Sequence, residues 1–153
     1  MYIGLLFFHS LVRWVLLFLM IASVVKAFTG KNGGVAFTDG DRKRTMFTMI
    51  FGHVQLIFGL VLYMVSPTVQ AATADMAAAM KDPIQRFWAV EHIMMMVIAI
   101  ALLTVGNIKS KKALTDAAKF KTVMIWYGIT LVLVVATIPW PFRAVGANFG
   151  WFY

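Results

Sequence analysis

Cysteine is absent from this chain of 153 residues, and acidic residues are scarce. Without cysteine there are no disulfides, no thiolate metal ligands and no cysteine nucleophile. Only 6 Asp and Glu residues stand against 14 Lys and Arg. The sequence also has no Gly-rich phosphate loop, no HExxH motif and no pair of carboxylates within an apolar run. These absences argue against hydrolytic chemistry, and leave redox chemistry supplied by a cofactor as the enzymatic option.

Apolar residues, by contrast, are in excess. They make up 61% of the sequence and charged residues 13%, whereas average usage is about half apolar and a quarter charged. A soluble domain of this size could not bury so much apolar surface, so the composition predicts a protein of the lipid bilayer. The net charge of +8 comes from Lys and Arg located between the apolar runs. The positive-inside rule accounts for them, and no soluble basic face remains for nucleic acid.

Four apolar runs are long enough to cross a bilayer as helices, which takes about 20 residues. They cover about 3–28, 46–66, 87–107 and 122–138. Short links between successive spans predict an all-α, four-transmembrane-helix bundle with up-down-up-down topology, formed by residues 1–153 as a single domain. Turn signals predict loops over 29–45 and 108–121, and the linker between spans two and three is predicted to hold a short helix over 71–80.

The charges in these loops predict the orientation of the chain. Loops one and three are strongly basic, whereas the linker carries only Lys81 and Arg86 against two acids. Loops one and three should therefore be cytoplasmic and both termini outside. This is the arrangement expected of a multi-pass protein in a bacterial inner membrane, with periplasmic N- and C-termini.

Ionisable residues inside two of the spans point to a site. His9 and Arg13 lie in span one, and Glu91 and His92 lie near the start of span three. A rise of about 1.5 Å per residue places both histidines roughly 8–10 Å below the outer boundary, at matched depth. Arg13 lies one helical turn deeper than His9, so Arg13 and Glu91 are predicted to form the neutralising ion pair. The other candidate partner for Arg13 is a haem propionate.

His53 is the third intramembrane histidine. It lies in the inner half of span two, roughly 10 Å from the level of the other two, with Gln55 close by. Span four contains no histidine. A lone histidine in a span is commonly a hydrogen-bonded residue that joins helices, which is the favoured reading for His53.

Two histidines at one depth on different helices are the arrangement that a b-type haem needs. Histidine commonly supplies the axial ligands of haem iron, and the second ring nitrogen usually makes an orienting hydrogen bond. Small residues must make room for the macrocycle, and Gly52 and Gly59 share one face of span two. The predicted haem site therefore comprises His9 and His92 as iron ligands, with Arg13, His53 and these two glycines as further candidate residues.

Three short motifs resemble those of the bacterial cytochrome b561-type membrane cytochromes. They are His-x3-Arg-Trp in 9–14, the Gly-His-Val stretch with a later Gly-Leu-x-Leu-Tyr in 52–63, and Glu-His at 91–92. The chain also resembles small four-span bacterial proteins generally called cytochrome b. The resemblance implies haem b, electron transport within a respiratory chain, and exchange of electrons with a quinone or a respiratory-complex subunit. Because span four lacks histidine, at most one bis-histidine site can be complete.

Three alternatives remain open at this level. The polar residues could fix helix register in a cofactor-free accessory or assembly subunit of a larger membrane complex. Arg13, Glu91 and His92 could instead form the polar path of a small transporter. Copper binding by Met94, Met95 and Met96 is disfavoured, because three consecutive helical residues point in three directions. They are better explained as flexible core residues.

Overall fold

The four apolar runs form four long helices, and the all-α bundle expected from the sequence is confirmed. A computed structural model describes residues 1–152 of the chain and contains no strand within them. The long helices are α1 (Tyr2–Gly33), α2 (Asp39–Val65), α6 (His92–Lys112) and α7 (Asp116–Thr137). By length and apolar composition they are the helices of a multi-pass membrane protein.

The connections at one end of the bundle are shorter than the predicted loops. Gly34 ends α1 with φ of 60°, a left-handed conformation that glycine adopts without strain. Only four residues later Thr38 and Asp41 form a reciprocal capping box that starts α2. Asp39 and Gly40 had the composition of a turn, but they form the first turn of this capped helix. The loop between α6 and α7 is likewise reduced to 113–115.

The linker between the second and third long helices is helical in short pieces. These are α3 (Pro67–Ala74), α4 (Met76–Ala79) and α5 (Pro83–Arg86). Each begins at a polar cap: Ser66, Asp75 and Asp82 accept hydrogen bonds from backbone N–H groups of the following turn. The predicted single helix over 71–80 is therefore two helices, because the Asp75 cap interrupts it.

A π-helical turn, Phe87–Glu91, joins α5 to α6. The N–H of His92 bonds to the carbonyl of Phe87, which is the i→i+5 pattern of a π-helix. The third span is thus a continuous helical segment with one wider turn immediately before His92. Sequence periodicity gives no signal for such a turn.

The long helices alternate in direction and enclose a common core. Helix α1 packs against α2 and α7, and α6 packs against the same two helices. One end of the bundle, here the terminal end, carries the start of α1, the end of α7 and the α3–α5 linker. The other end, here the basic end, carries the two short connections, and the Lys and Arg residues lie in the helical turns that flank them. Large apolar side chains remain exposed around the outside, as expected for a surface in contact with lipid: Phe18, Ile57, Met64 and Val132.

Candidate functional site

A cavity of about 110 Å³ lies among the four long helices in the terminal half of the bundle. Its walls are mainly apolar, and α3 and Phe149 of the C-terminal segment help to enclose it. The side chains with polar groups that line it include His9, Arg13, Gln55, Tyr63 and His92. Both histidines singled out by their depth therefore face one cavity, from α1 and from α6.

His92 is held from both sides of its ring. Its Nδ1 donates to the carbonyl oxygen of Thr137 on α7, at 3.1 Å. A carbonyl can only accept, so this bond places the proton on Nδ1 and leaves Nε2 with a lone pair. The rings of Phe87 and Trp88 lie 5.6 and 5.7 Å from the imidazole centroid. The hydrogen bond and the aromatic contacts fix the orientation of the ring.

His9 has one engaged nitrogen and one that is available. Its Nε2 lies 3.0 Å from the side-chain nitrogen of Gln55 on α2. Within residues 1–152, Nδ1 of His9 and Oε1 of Gln55 are buried without a hydrogen-bond partner. The ring lies against Gly59, where an added Cβ would be 3.2 Å from Cε1 of His9. Because Gly59 has no side chain, the His9 ring can pack closely against α2.

Arg13 is buried, with 6% of its surface exposed, and it is directed toward the terminal end. Its Nη2 donates to Ser10 Oγ and to the carbonyl oxygen of Trp151, each at 2.9 Å. Ser10 Oγ and Trp14 Nε1 also donate to this carbonyl, both at 3.2 Å. Arg13 is therefore tied to the C-terminal segment as well as lining the cavity.

The predicted ion pair between Arg13 and Glu91 is wrong. Glu91 accepts from Nε of Arg86 at 2.7 Å, and both side chains are exposed, by 45% and 38%. The wider π-helical turn brings residues five apart onto one face, whereas a regular α-helix would place them on different faces. Glu91 consequently faces outward, and the Arg13–Glu91–His92 path needed by the transporter hypothesis is not assembled.

His53 and Gly52 do not take part in the cavity. The His53 side chain is exposed, and its Nδ1 donates to the Met49 carbonyl of its own helix at 2.9 Å. An added Cβ at Gly52 would meet Leu103 at 2.8 Å and Ile100 at 3.0 Å, so this glycine lets α6 approach α2. The expectation that both join a haem site is corrected here: His53 points out of the bundle, and Gly52 lies on the inner face of α2 but is filled by side chains of α6 below the cavity.

Gln55 and Tyr63 are the site residues that sequence reasoning missed. Gln55 was assigned to His53, two positions away, but helical spacing places it on the face of Gly52 and Gly59. That spacing was a usable signal. Tyr63 lies one turn beyond Gly59 and donates to the carbonyl of Ala89, within the π-helical turn, at 2.8 Å. It supports the segment that carries His92.

The methionines point in different directions, as expected, and Met96 lines the cavity. Met94 is exposed by 57%, so the expectation that all three are core residues is wrong for Met94. Residues 1–152 contain no group of three or more His, Cys, Asp or Glu side chains that could hold a metal ion by themselves. The donor set of the cavity is two imidazoles on different helices, each restrained by a neighbour, within apolar walls. Such a set suits a group that needs one or two nitrogen ligands and a dry surrounding.

No known protein family, no curated protein and no solved structure matches this chain.

Proposed function

We propose that this protein is a membrane-embedded electron-transfer protein that holds one b-type haem in the cavity, where His9 and His92 would be the residues that ligate its iron. The observation that carries the proposal is the placement of these two imidazoles, from α1 and α6, on the walls of a single cavity. Haem iron supplies the chemistry when bound, by accepting and giving up one electron at a time. The protein supplies the ligands, their orientation and the exclusion of water.

The donor chemistry of His92 supports this assignment. Ligating histidines almost always donate their second ring N–H to a carboxylate, a carbonyl or water, which fixes the tautomer. The bond from His92 Nδ1 to the Thr137 carbonyl matches this pattern and leaves Nε2 as the ligand atom.

His9 fits once the Gln55 amide is turned. The two ends of the amide are nearly equal in size, and turning it places Oε1 where Nε2 of His9 can donate to it. The unpartnered Nδ1 of His9 then carries the lone pair that a metal needs. Gln55 is accordingly the residue that sets which nitrogen of His9 faces a ligand.

Arg13 is the candidate partner for a haem propionate, because it is a buried cation on the cavity wall. Its present hydrogen bonds to Ser10 and Trp151 hold the guanidinium at the terminal end of the cavity. A carboxylate is a stronger acceptor for arginine than a backbone carbonyl.

The location follows from the charges at the two ends. The basic end should face the cytoplasm and the terminal end the outside, in a bacterial inner membrane. The proposed haem then lies in the outer half of the bilayer. A membrane quinone or a subunit of a respiratory complex is the proposed electron partner.

Visible spectroscopy tests the haem proposal directly. The protein, purified from haem-replete cells, should show a Soret band and sharpened α and β bands after reduction with dithionite. His9→Gln and His92→Gln should each lose most of the bound haem, while His53→Gln is the matched control and should keep it, because His53 lies outside the cavity. A wild-type protein without a Soret band, or a His92→Gln variant with an unchanged one, would remove the proposal.

The second candidate is a cofactor-free accessory subunit. The observation that favours it is that both histidines already join neighbouring helices, α1 to α2 through Gln55 and α6 to α7 through Thr137. Interhelical hydrogen bonds in membranes contribute on the order of 0.6–2 kcal/mol each, enough to fix register. Under this alternative the purified protein has no visible absorbance, and the histidine variants lower stability alone.

A further inference from the structure

The C-terminal segment forms part of the wall of the cavity. After α7 ends at Thr137, the chain turns back, makes a 3-10 turn at Ala144–Gly146, and crosses the terminal end. Phe149 lines the cavity, and its ring lies 5.3 Å from that of Trp88, edge to face. The segment 144–152, here called the cover, therefore lies between the cavity and the space beyond the terminal end.

One backbone atom near the end of the cover accepts three hydrogen bonds from α1. The carbonyl oxygen of Trp151 accepts from Ser10, Arg13 and Trp14, at 3.2, 2.9 and 3.2 Å. These three donors lie on one face of α1, within about one helical turn. Three donors, one of them charged, make this a strong acceptor site.

Aromatic contacts support the same attachment. The ring of Trp14 lies 6.3 Å from Trp151 and 6.0 Å from Phe152, and Trp140 lies 6.0 Å from Trp151. Yet Trp151 and Phe152 remain 53% and 57% exposed. The end of the cover is attached at the surface and is not embedded in the core, so we expect its detachment to leave the packing of the four long helices in place.

The start of the cover depends on one glycine. A Cβ at Gly146 would collide with the carbonyl oxygens of Pro139 and Trp140. Backbone atoms cannot move aside as a flexible side chain can, so any larger residue at position 146 must shift the cover. Gly4, at the same end of the bundle, has no atom within 4 Å of an added Cβ and is the matched control.

We propose that the segment 144–152 regulates the cavity as its cover: it closes the binding site at the terminal end, and a ligand enters when the segment lifts. The inference rests on the proposed function only in taking the cavity as a binding site. The identity of the ligand does not enter into it.

The absence of cysteine makes the cover testable by chemical labelling. A single cysteine is introduced at Met96, which lines the cavity one helical turn beyond His92, and in a second protein at Thr73, which is exposed on the linker. Each protein, reconstituted in vesicles, is treated with a small, charged methanethiosulfonate that does not cross the bilayer. The rate of modification is compared with and without Gly146→Ala, Gly4→Ala, or removal of 144–153.

With the cover intact, the cysteine at 96 should react at least roughly tenfold more slowly than the one at 73. Gly146→Ala and the truncation should each raise its rate roughly tenfold, since modification follows the population of the open state. Gly4→Ala should leave it unchanged, and the rate at position 73 should be the same in all backgrounds. The truncated chain provides the same comparison if Gly146→Ala does not fold.

Equal rates at 96 and 73 with the cover intact would overturn the inference. So would an unchanged rate at 96 after truncation, with helical circular dichroism and the rate at 73 retained. The labelling needs no haem: a missing Soret band removes the haem proposal without affecting the cover, and an unprotected cavity removes the cover without affecting the haem.

Discussion

The terminal and basic halves of this bundle both contain buried polar groups, but they use them differently. In the basic half, Tyr127 donates to the Thr45 carbonyl at 2.8 Å and accepts from Asn107 at 3.2 Å. Ser23 and Thr48 bond to each other at 3.1 Å. The pocket found there, about 10 Å³, has room for about one water molecule. These groups tie helices together in a closely packed region.

In the terminal half the polar groups surround a cavity some ten times larger, by the ratio of about 110 to about 10 Å³. Nδ1 of His9 and Oε1 of Gln55 lack partners within residues 1–152; in the basic half the corresponding atom is Oδ1 of Asn107, which adjoins no comparable space. Unpartnered buried polar atoms beside a cavity are expected where a ligand completes them. Under the proposed function, polar residues serve cohesion at one end and binding at the other.

The largest change in unfolding free energy is expected from a substitution that disrupts the close packing of the basic half. At Gly106 an added Cβ collides with Cβ of Trp126, whereas at Gly128 it meets no atom within 4 Å. Gly106→Ala should lower the free energy of unfolding by about 1–3 kcal/mol, because neither backbone can move freely. Gly128→Ala should raise it by about 0.5–1 kcal/mol through helix propensity. Denaturant unfolding in detergent micelles measures both, and equal effects would contradict the packing argument.

The next largest change in unfolding free energy is expected from a substitution that removes a polar contact from the basic half. Tyr127→Phe deletes the hydroxyl that links α7 to α2 and α6. The variant should lose about 1 kcal/mol of unfolding free energy, since two bonds are lost and the Thr45 carbonyl stays buried. Phe120→Leu, a change within the same core cluster that removes no hydrogen bond, controls for altered packing. An unchanged stability in Tyr127→Phe would show that this half does not depend on its polar contacts.

A smaller change in stability is expected when the polar pair of the terminal half is replaced. In the double variant His9→Leu/Gln55→Leu both hydrogen-bonding partners become apolar, which is commonly close to neutral. The free energy of unfolding should change by less than about 1 kcal/mol, while bound haem is lost. Measuring unfolding and the Soret band on one preparation separates the two readouts. A large loss of stability would mean that His9 and Gln55 serve mainly to hold α1 and α2 together. The two halves would then use their polar groups in the same way.

The sequence predicted the fold because hydropathy reports directly on helices that span a bilayer. It also predicted that His9 and His92 lie at one level, since rise per residue is nearly constant in a helix, and both residues line one cavity. It mispaired Arg13 with Glu91 because that argument assumed a regular α-helix across 86–92. The π-helical turn there accepts a tertiary hydrogen bond from Tyr63, which no local pattern encodes. The packing of the C-terminal segment against α1 is also a tertiary contact, so the sequence did not predict it. Composition indicated only that the segment is aromatic.

The smallest expected effect concerns the hydrogen bond from Tyr63. Tyr63→Phe removes the bond to the Ala89 carbonyl, which lies in the π-helical turn before His92. Because this is a single bond, stability should fall by only about 0.5 kcal/mol, less than in Tyr127→Phe. If Tyr63 holds the turn that orients His92, the haem bands should nevertheless shift or broaden in Tyr63→Phe and remain unchanged in Tyr127→Phe. Bands that stay unchanged in both variants would mean that the Thr137 carbonyl and the aromatic contacts orient His92 without Tyr63.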